Sequence, residues 1–119
     1  MSNLSEEEIR INEKAFLDKN IFQGLNNLNN GFDSQLIKYF SELEFEIVLK
    51  RVEKLGLGIY GIEPWLNGEF YDVLSHEDFN RFSKDPNWYK IAFSKFKEQN
   101  KNLLYAATYD IPIEFLVKK

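Results

Sequence analysis

A chain of 119 residues with no cysteine and one histidine has room for one hydrophobic core, but not for disulfides, thiolate metal sites, a thiol nucleophile or a histidine-rich metal centre. Its net charge of -4, from 15 basic and 19 acidic residues, argues against nucleic acid as the main partner and favours a basic one. Hydrophobic residues at 44% and charged residues at 29% suit a packed interior under a soluble exterior, and the apolar runs are too short to span a bilayer.

The chain opens MSNLSEEEIR, acidic where an export signal is basic and then apolar, so a cytoplasmic protein without membrane contact is expected. Ser5 and Glu8 have the spacing of a capping box, and a helix to about Lys19 follows with a thin apolar stripe of Ile9, Ala15, Phe16 and Leu17. The Asn-rich run Asn26 to Gly31 reads as a loop, leaving residues 1–31 as a peripheral helix and loop of a single 1–119 domain. Ser41 and Glu44 repeat the capping box, and Phe45, Val48, Leu49, Val52 and Leu55 follow the spacing of a buried helix face that Gly56 closes. A strand from Leu57 to Glu63 is expected to end before Pro64, and Asn67-Gly68 signals a hairpin whose return strand runs Glu69 to Leu74. In that strand Phe70, Asp72 and Leu74 share one face, and Glu69, Tyr71 and Val73 the other. Ser75 starts a short helix anchored by Phe79 and Phe82. Asp85-Pro86 starts another, whose buried face is Trp88, Tyr89, Ala92, Phe93 and Phe96. Leu103 to Tyr109 is the next strand, and Ile113 to Val117 a last strand or short helix. The fold class is α+β, with a small antiparallel sheet of about three strands packed with four or so helices.

Charge is unevenly distributed. Residues 57–80 carry Glu63, Glu69, Asp72, Glu77 and Asp78 with no Lys or Arg, whereas residues 81–101 carry six bases against Asp85 and Glu98. The two sectors either face each other or leave an acidic surface free. His76 lacks a second imidazole, and beside Glu77 and Asp78 it reads as an ordinary exposed histidine more readily than as a general base. No phosphate-binding glycine loop and no EF-hand pattern occurs, so no metal or cofactor is expected, and the chain is not read as an enzyme. The candidate partner-binding set is Tyr60, Glu63, Trp65, Glu69, Tyr71, Asp72, Glu77 and Asp78, acids interleaved with aromatics that suit a basic protein. Within it Trp65 either stands exposed or folds back onto the sheet. Two other classes fit the composition: a small hydrolase using Glu63, Glu69 and Asp72, or a general adaptor or regulatory subunit.

The segments IYGIEPWLNGEFYDV, DPNWY and LLYAATYDIP give residues 36–113 a resemblance to immunity proteins of bacterial contact-dependent growth inhibition and related polymorphic toxin systems. What the resemblance implies is a small cytosolic protein that binds the C-terminal toxin domain of a cognate effector, often a basic nuclease, and occludes its active site. It supplies no catalytic or binding residue to carry over.

Overall fold

The computed structural model describes residues 4–117; residues 1–3 and 118–119, the ends of the expected 1–119 domain, lie outside them. Helix α1 (Glu6–Asn20) begins where the capping box places it: Ser5 Oγ accepts from Glu8 N at 3.1 Å and Glu8 Oε1 accepts from Ser5 N at 3.2 Å. Its thin stripe has the expected consequence. No residue of α1 is buried, and Ile9, Phe16 and Leu17 only lean on the core. Arg51 secures its far end by donating to the carbonyls of Ile21 and Gln23, each at 2.8 Å, where backbone acceptors have no helical partner.

Helix α2 (Glu42–Leu55) buries Phe45, Val48, Leu49 and Val52, and closes at Gly56, whose φ of 72° is the left-handed cap geometry that glycine adopts without strain. The second capping box is only half made. Ser41 Oγ accepts from Glu44 N at 3.3 Å, but the Glu44 carboxylate turns away to accept from Asn26 N at 2.7 Å, tying the Asn-rich loop to the helix.

Four strands form one antiparallel sheet: β1 (Gly58–Leu66), β2 (Glu69–Phe70), β3 (Leu74–Ser75) and β4 (Leu104–Asp110). β1 is central, with β4 along one edge and β2 and β3 sharing the other. β1 does not stop before Pro64 as expected but runs through it. Pro64 faces Tyr105, whose N–H and C=O are both turned outward to Phe40 at 2.8 and 2.9 Å, so the missing proline donor leaves no gap on that side. A one-residue shift at Tyr60 then changes the phase of β1, placing Ile59, Ile62 and Pro64 inside.

Helix α3 (Pro86–Gln99) starts with Asp85 capping Asn87 N at 2.9 Å and buries all five expected residues, Trp88, Tyr89, Ala92, Phe93 and Phe96. Phe45 of α2, Phe93 of α3 and Tyr105 of β4 meet at centroid distances of 5.0 to 5.5 Å, which fixes the core between two helices and one sheet face. Short 3₁₀ turns occupy His76–Phe79 and Ile113–Phe115. The described residues therefore hold three α-helices and four strands, against an expectation of four or so helices and about three strands. Phe82 is not the anchor expected of it: it is 87% exposed, because the 3₁₀ turn ends at Asn80 in a left-handed conformation and swings the next residues outward. Among the described residues no helix is long and apolar enough to cross a membrane.

Candidate functional site

The hairpin after β1 turns at Asn67 and Gly68, with φ of 53° and 79°, the pair of positive values a type I′ turn requires. β2 then pairs Trp65 with Phe70 and Leu66 with Glu69, but the expected six-residue return strand breaks. Tyr71 N and Asp72 N both turn to the Pro64 carbonyl, at 3.1 and 3.4 Å. Pairing resumes only at Leu74 with Ile62 and Ser75 with Gly61, one residue out of step. Proline offers no N–H on this edge, so the ladder lapses opposite it and the chain bulges. The expected face of Phe70, Asp72 and Leu74 is lost with it: Phe70 is 55% exposed while Leu74 leans on the core.

This bulge separates the sequence-predicted residues into three groups. Glu63 and Trp65 lie on the sheet face away from α2 and α3, under the 26–40 loop. There Trp65 meets Phe32 at 5.4 Å and Tyr39 at 5.6 Å. Glu63 Oε2 accepts from Trp65 Nε1 at 2.6 Å and lies 3.1 Å from the fully buried Tyr39 hydroxyl, which is also 2.6 Å from Asp33 Oδ2. One phenol proton thus sits between two carboxylates. Burial and then those two acids push the Tyr39 phenol far above its ordinary range, so it stays protonated. Glu63 and Trp65 are consequently used inside the fold, and Trp65 is the folded-back indole. Tyr71 turns to the opposite side of the sheet, its hydroxyl donating to Gln99 Oε1 at 3.0 Å and its ring 6.4 Å from Phe96.

The remaining residues line the β2–β3 edge, which extends roughly 17 Å from Leu66 to Gly61 at about 3.3 Å per strand residue. Glu69, Asp72, Glu77 and Asp78 are exposed there, and among the described residues none of them forms an ion pair. Asp72 and Asp78 accept local hydrogen bonds, from Val73 N and Ser75 N, each 2.7 Å away, and Asp78 also from Ser75 Oγ at 3.2 Å. The basic sector looks elsewhere. Arg81 reaches Asp85 at 3.7 Å, Lys90 reaches Glu53 at 2.8 Å, and Lys95 and Lys97 lie over Phe79 and Phe93. Tyr60 is 45% exposed, and two residues absent from the candidate set, Phe70 and Val73 at 55% and 48%, complete the apolar part of the edge. A signal for them was present in the sequence, since a residue just past a two-residue turn opposite Trp65 belongs to an edge strand with one bare side.

His76 Nδ1 donates to the Arg81 carbonyl at 2.7 Å, so a backbone oxygen orients the ring in place of Glu77 or Asp78. Among the described residues no group of three or more His, Cys, Asp or Glu side chains is disposed to hold a metal ion. Burial, followed by Asp110 and Glu13, raises the Tyr60 phenol, which leaves it an uncharged hydrogen-bonding tip beside an apolar ring at neutral pH. Comparison with family models, with curated proteins and with solved structures found no match to this chain.

Proposed function

We propose that this protein is an immunity protein, which binds the C-terminal toxin domain of a cognate effector in the cytoplasm and neutralises it by covering its active site. The observation that carries the reading is the β2–β3 edge: Glu69, Asp72, Glu77 and Asp78, without ion pairs among the described residues, interleaved with the exposed Tyr60, Phe70 and Val73. Unpaired carboxylates of one sign steer a basic partner during encounter, and the apolar side chains among them hold it after desolvation. A nuclease domain, whose Lys and Arg side chains must face phosphate, is the partner class that meets both demands. The protein's part is steric and electrostatic binding, with no reaction of its own.

The test is co-expression with the C-terminal region encoded by the reading frame immediately upstream. Growth arrest by that fragment alone, relief by this protein, and co-purification that weakens as salt rises are the expected results. A fragment whose toxicity this protein leaves untouched sinks the proposal.

A further inference from the structure

The outer edge of β4 is only partly covered. Tyr105 pairs with Phe40 on that side, and the alternation of a regular strand turns the N–H and C=O of Ala107 and Tyr109 the same way. Neither residue's backbone has a partner on that side among the described residues, because the chain preceding Phe40 peels off the sheet. Tyr39 N is taken by Asn27 Oδ1 at 3.0 Å, Tyr39 O by Leu28 N at 2.8 Å, and Ile37 N by Ser34 O at 3.0 Å. The wedge left between β4, the 35–38 segment and α1 is a cleft of about 480 Å³ lined by Ile11, Leu17, Phe22, Leu36, Ile37 and Tyr109. Ile11 and Leu36 stand 59% and 81% exposed at its mouth.

We infer that this cleft is a second interaction surface, which accepts an extended, uncharged apolar stretch of polypeptide as an added strand on β4 at Ala107 and Tyr109. Open strand edges pair with backbone, and apolar walls on both sides take alternate side chains of such a segment. Charge selects the same occupant. The ionisable side chains around the mouth cancel, Glu7, Glu13 and Asp18 against Arg10, Lys14 and Lys38, with both lysines already on Asp18. Nothing there attracts the strongly basic surface that the β2–β3 edge suits, and β4 flanks β1 on the other side, so the inference is independent of the immunity reading.

The probe is an acetylated, amidated pentapeptide of alternating Val and Thr, titrated to millimolar concentration into isotope-labelled protein. Expected are amide shift changes at Ala107, Tyr109 and residues 36–38, with slowed hydrogen exchange at Ala107 and Tyr109. The same peptide N-methylated on every residue, which leaves no N–H on either edge, is expected to give none, and Ile11→Glu, at an exposed position, to weaken the response of the unmodified one. Before any peptide is added, Ala107 and Tyr109 amides should exchange faster than those of Ala106 and Thr108, which face β1. Three results would overturn the inference: equally slow exchange at all four amides of the free protein, no shifts with the plain peptide, or equal binding of the N-methylated one.

Discussion

The Trp65 indole donates to Glu63 Oε2 across 2.6 Å, from two residues further along the same face of β1. Through that carboxylate the strand is linked to the Tyr39 hydroxyl, and through Tyr39 to Asp33, so one hydrogen-bonded chain pins the 26–40 loop over the sheet. Tyr39→Phe keeps the ring contacts with Phe32 and Trp65 but removes the shared proton. A loss of about 1–3 kcal/mol is expected for groups left without it. Urea unfolding should show a lower midpoint with an unchanged slope, and an unchanged midpoint would mean that the phenol contributes nothing.

Titration offers an independent check at both ends of the pH scale. Burial raises the phenols of Tyr89, Tyr105 and Tyr109, as it does that of Tyr39, above an unfolded value of about 10. A raised folded pKa stabilises fully below the unfolded value and loses that contribution as pH climbs past it. Tyrosinate absorbance should therefore rise together with loss of circular dichroism, in one cooperative alkaline transition. Asp18 behaves oppositely: burial alone would raise it, but hydrogen bonds and charge from Lys38 and Lys14 outweigh burial and lower it. Its contribution is present above the unfolded carboxylate value and disappears as pH falls through the folded one, so Asp18→Asn should flatten the acid limb of stability against pH.

Charge reversal at Glu69 and Asp72 separates steering from folding. Both side chains are exposed and neither is ion-paired among the described residues, so stability should stay within about 0.5 kcal/mol of the parent. Association with the proposed toxin partner should slow roughly tenfold at low salt and much less at high salt. Glu63→Lys is expected to do the reverse and unfold the protein, because it inserts a cation beside the Trp65 and Tyr39 donors. Stopped-flow association at two salt concentrations distinguishes these outcomes, and equal rates for parent and reversed protein would move the docking surface elsewhere.

Phe70→Ala is expected to cost about 2 kcal/mol or more of affinity for the proposed toxin partner with little loss of stability, as for an aromatic centred in an interface. Phe82 is more exposed still but lies in the turn before α3, where Ser83 O accepts from Ile59 N beyond the stretch of β1 that β2 and β3 pair with, so Phe82→Ala should leave affinity unchanged. Calorimetric titration of both variants decides whether position on the edge or mere exposure governs binding.

Gly58 shows how closely the 81–85 turn approaches the sheet. A Cβ there would lie 2.8 Å from Ser83 Oγ and 3.0 Å from the Ser83 carbonyl carbon, and Ser83 is itself held by Asp110 at 2.5 Å. Gly58→Ala should destabilise by about 1–3 kcal/mol through overcrowding, measured by thermal unfolding. A neutral result would mean that this turn yields freely.

Local chemistry made much of this fold readable before any tertiary information. Ser5 with Glu8, Asp85 with Pro86, Gly56 as a left-handed cap and Asn67-Gly68 as a turn act within a few residues of themselves, and each holds in the structure. The buried face of α3 was equally legible, since helical periodicity is a property of the segment alone. Charge segregation between residues 57–80 and 81–101 could be counted, but whether those charges meet could not.

Tertiary structure decided what depends on a distant partner. Pro64 could continue a strand only because Tyr105 already bonds to Phe40, and the return strand broke opposite Pro64 for want of a donor. Glu44 left its capping box for Asn26, eighteen residues away along the chain, and Glu63 and Trp65 went under a loop that the sequence presents as a polar linker. Which side chains remained free for a partner followed from these choices. A backbone or side-chain group is spent on whichever neighbour folding brings to it, and that neighbour is not written in the group's own stretch of sequence.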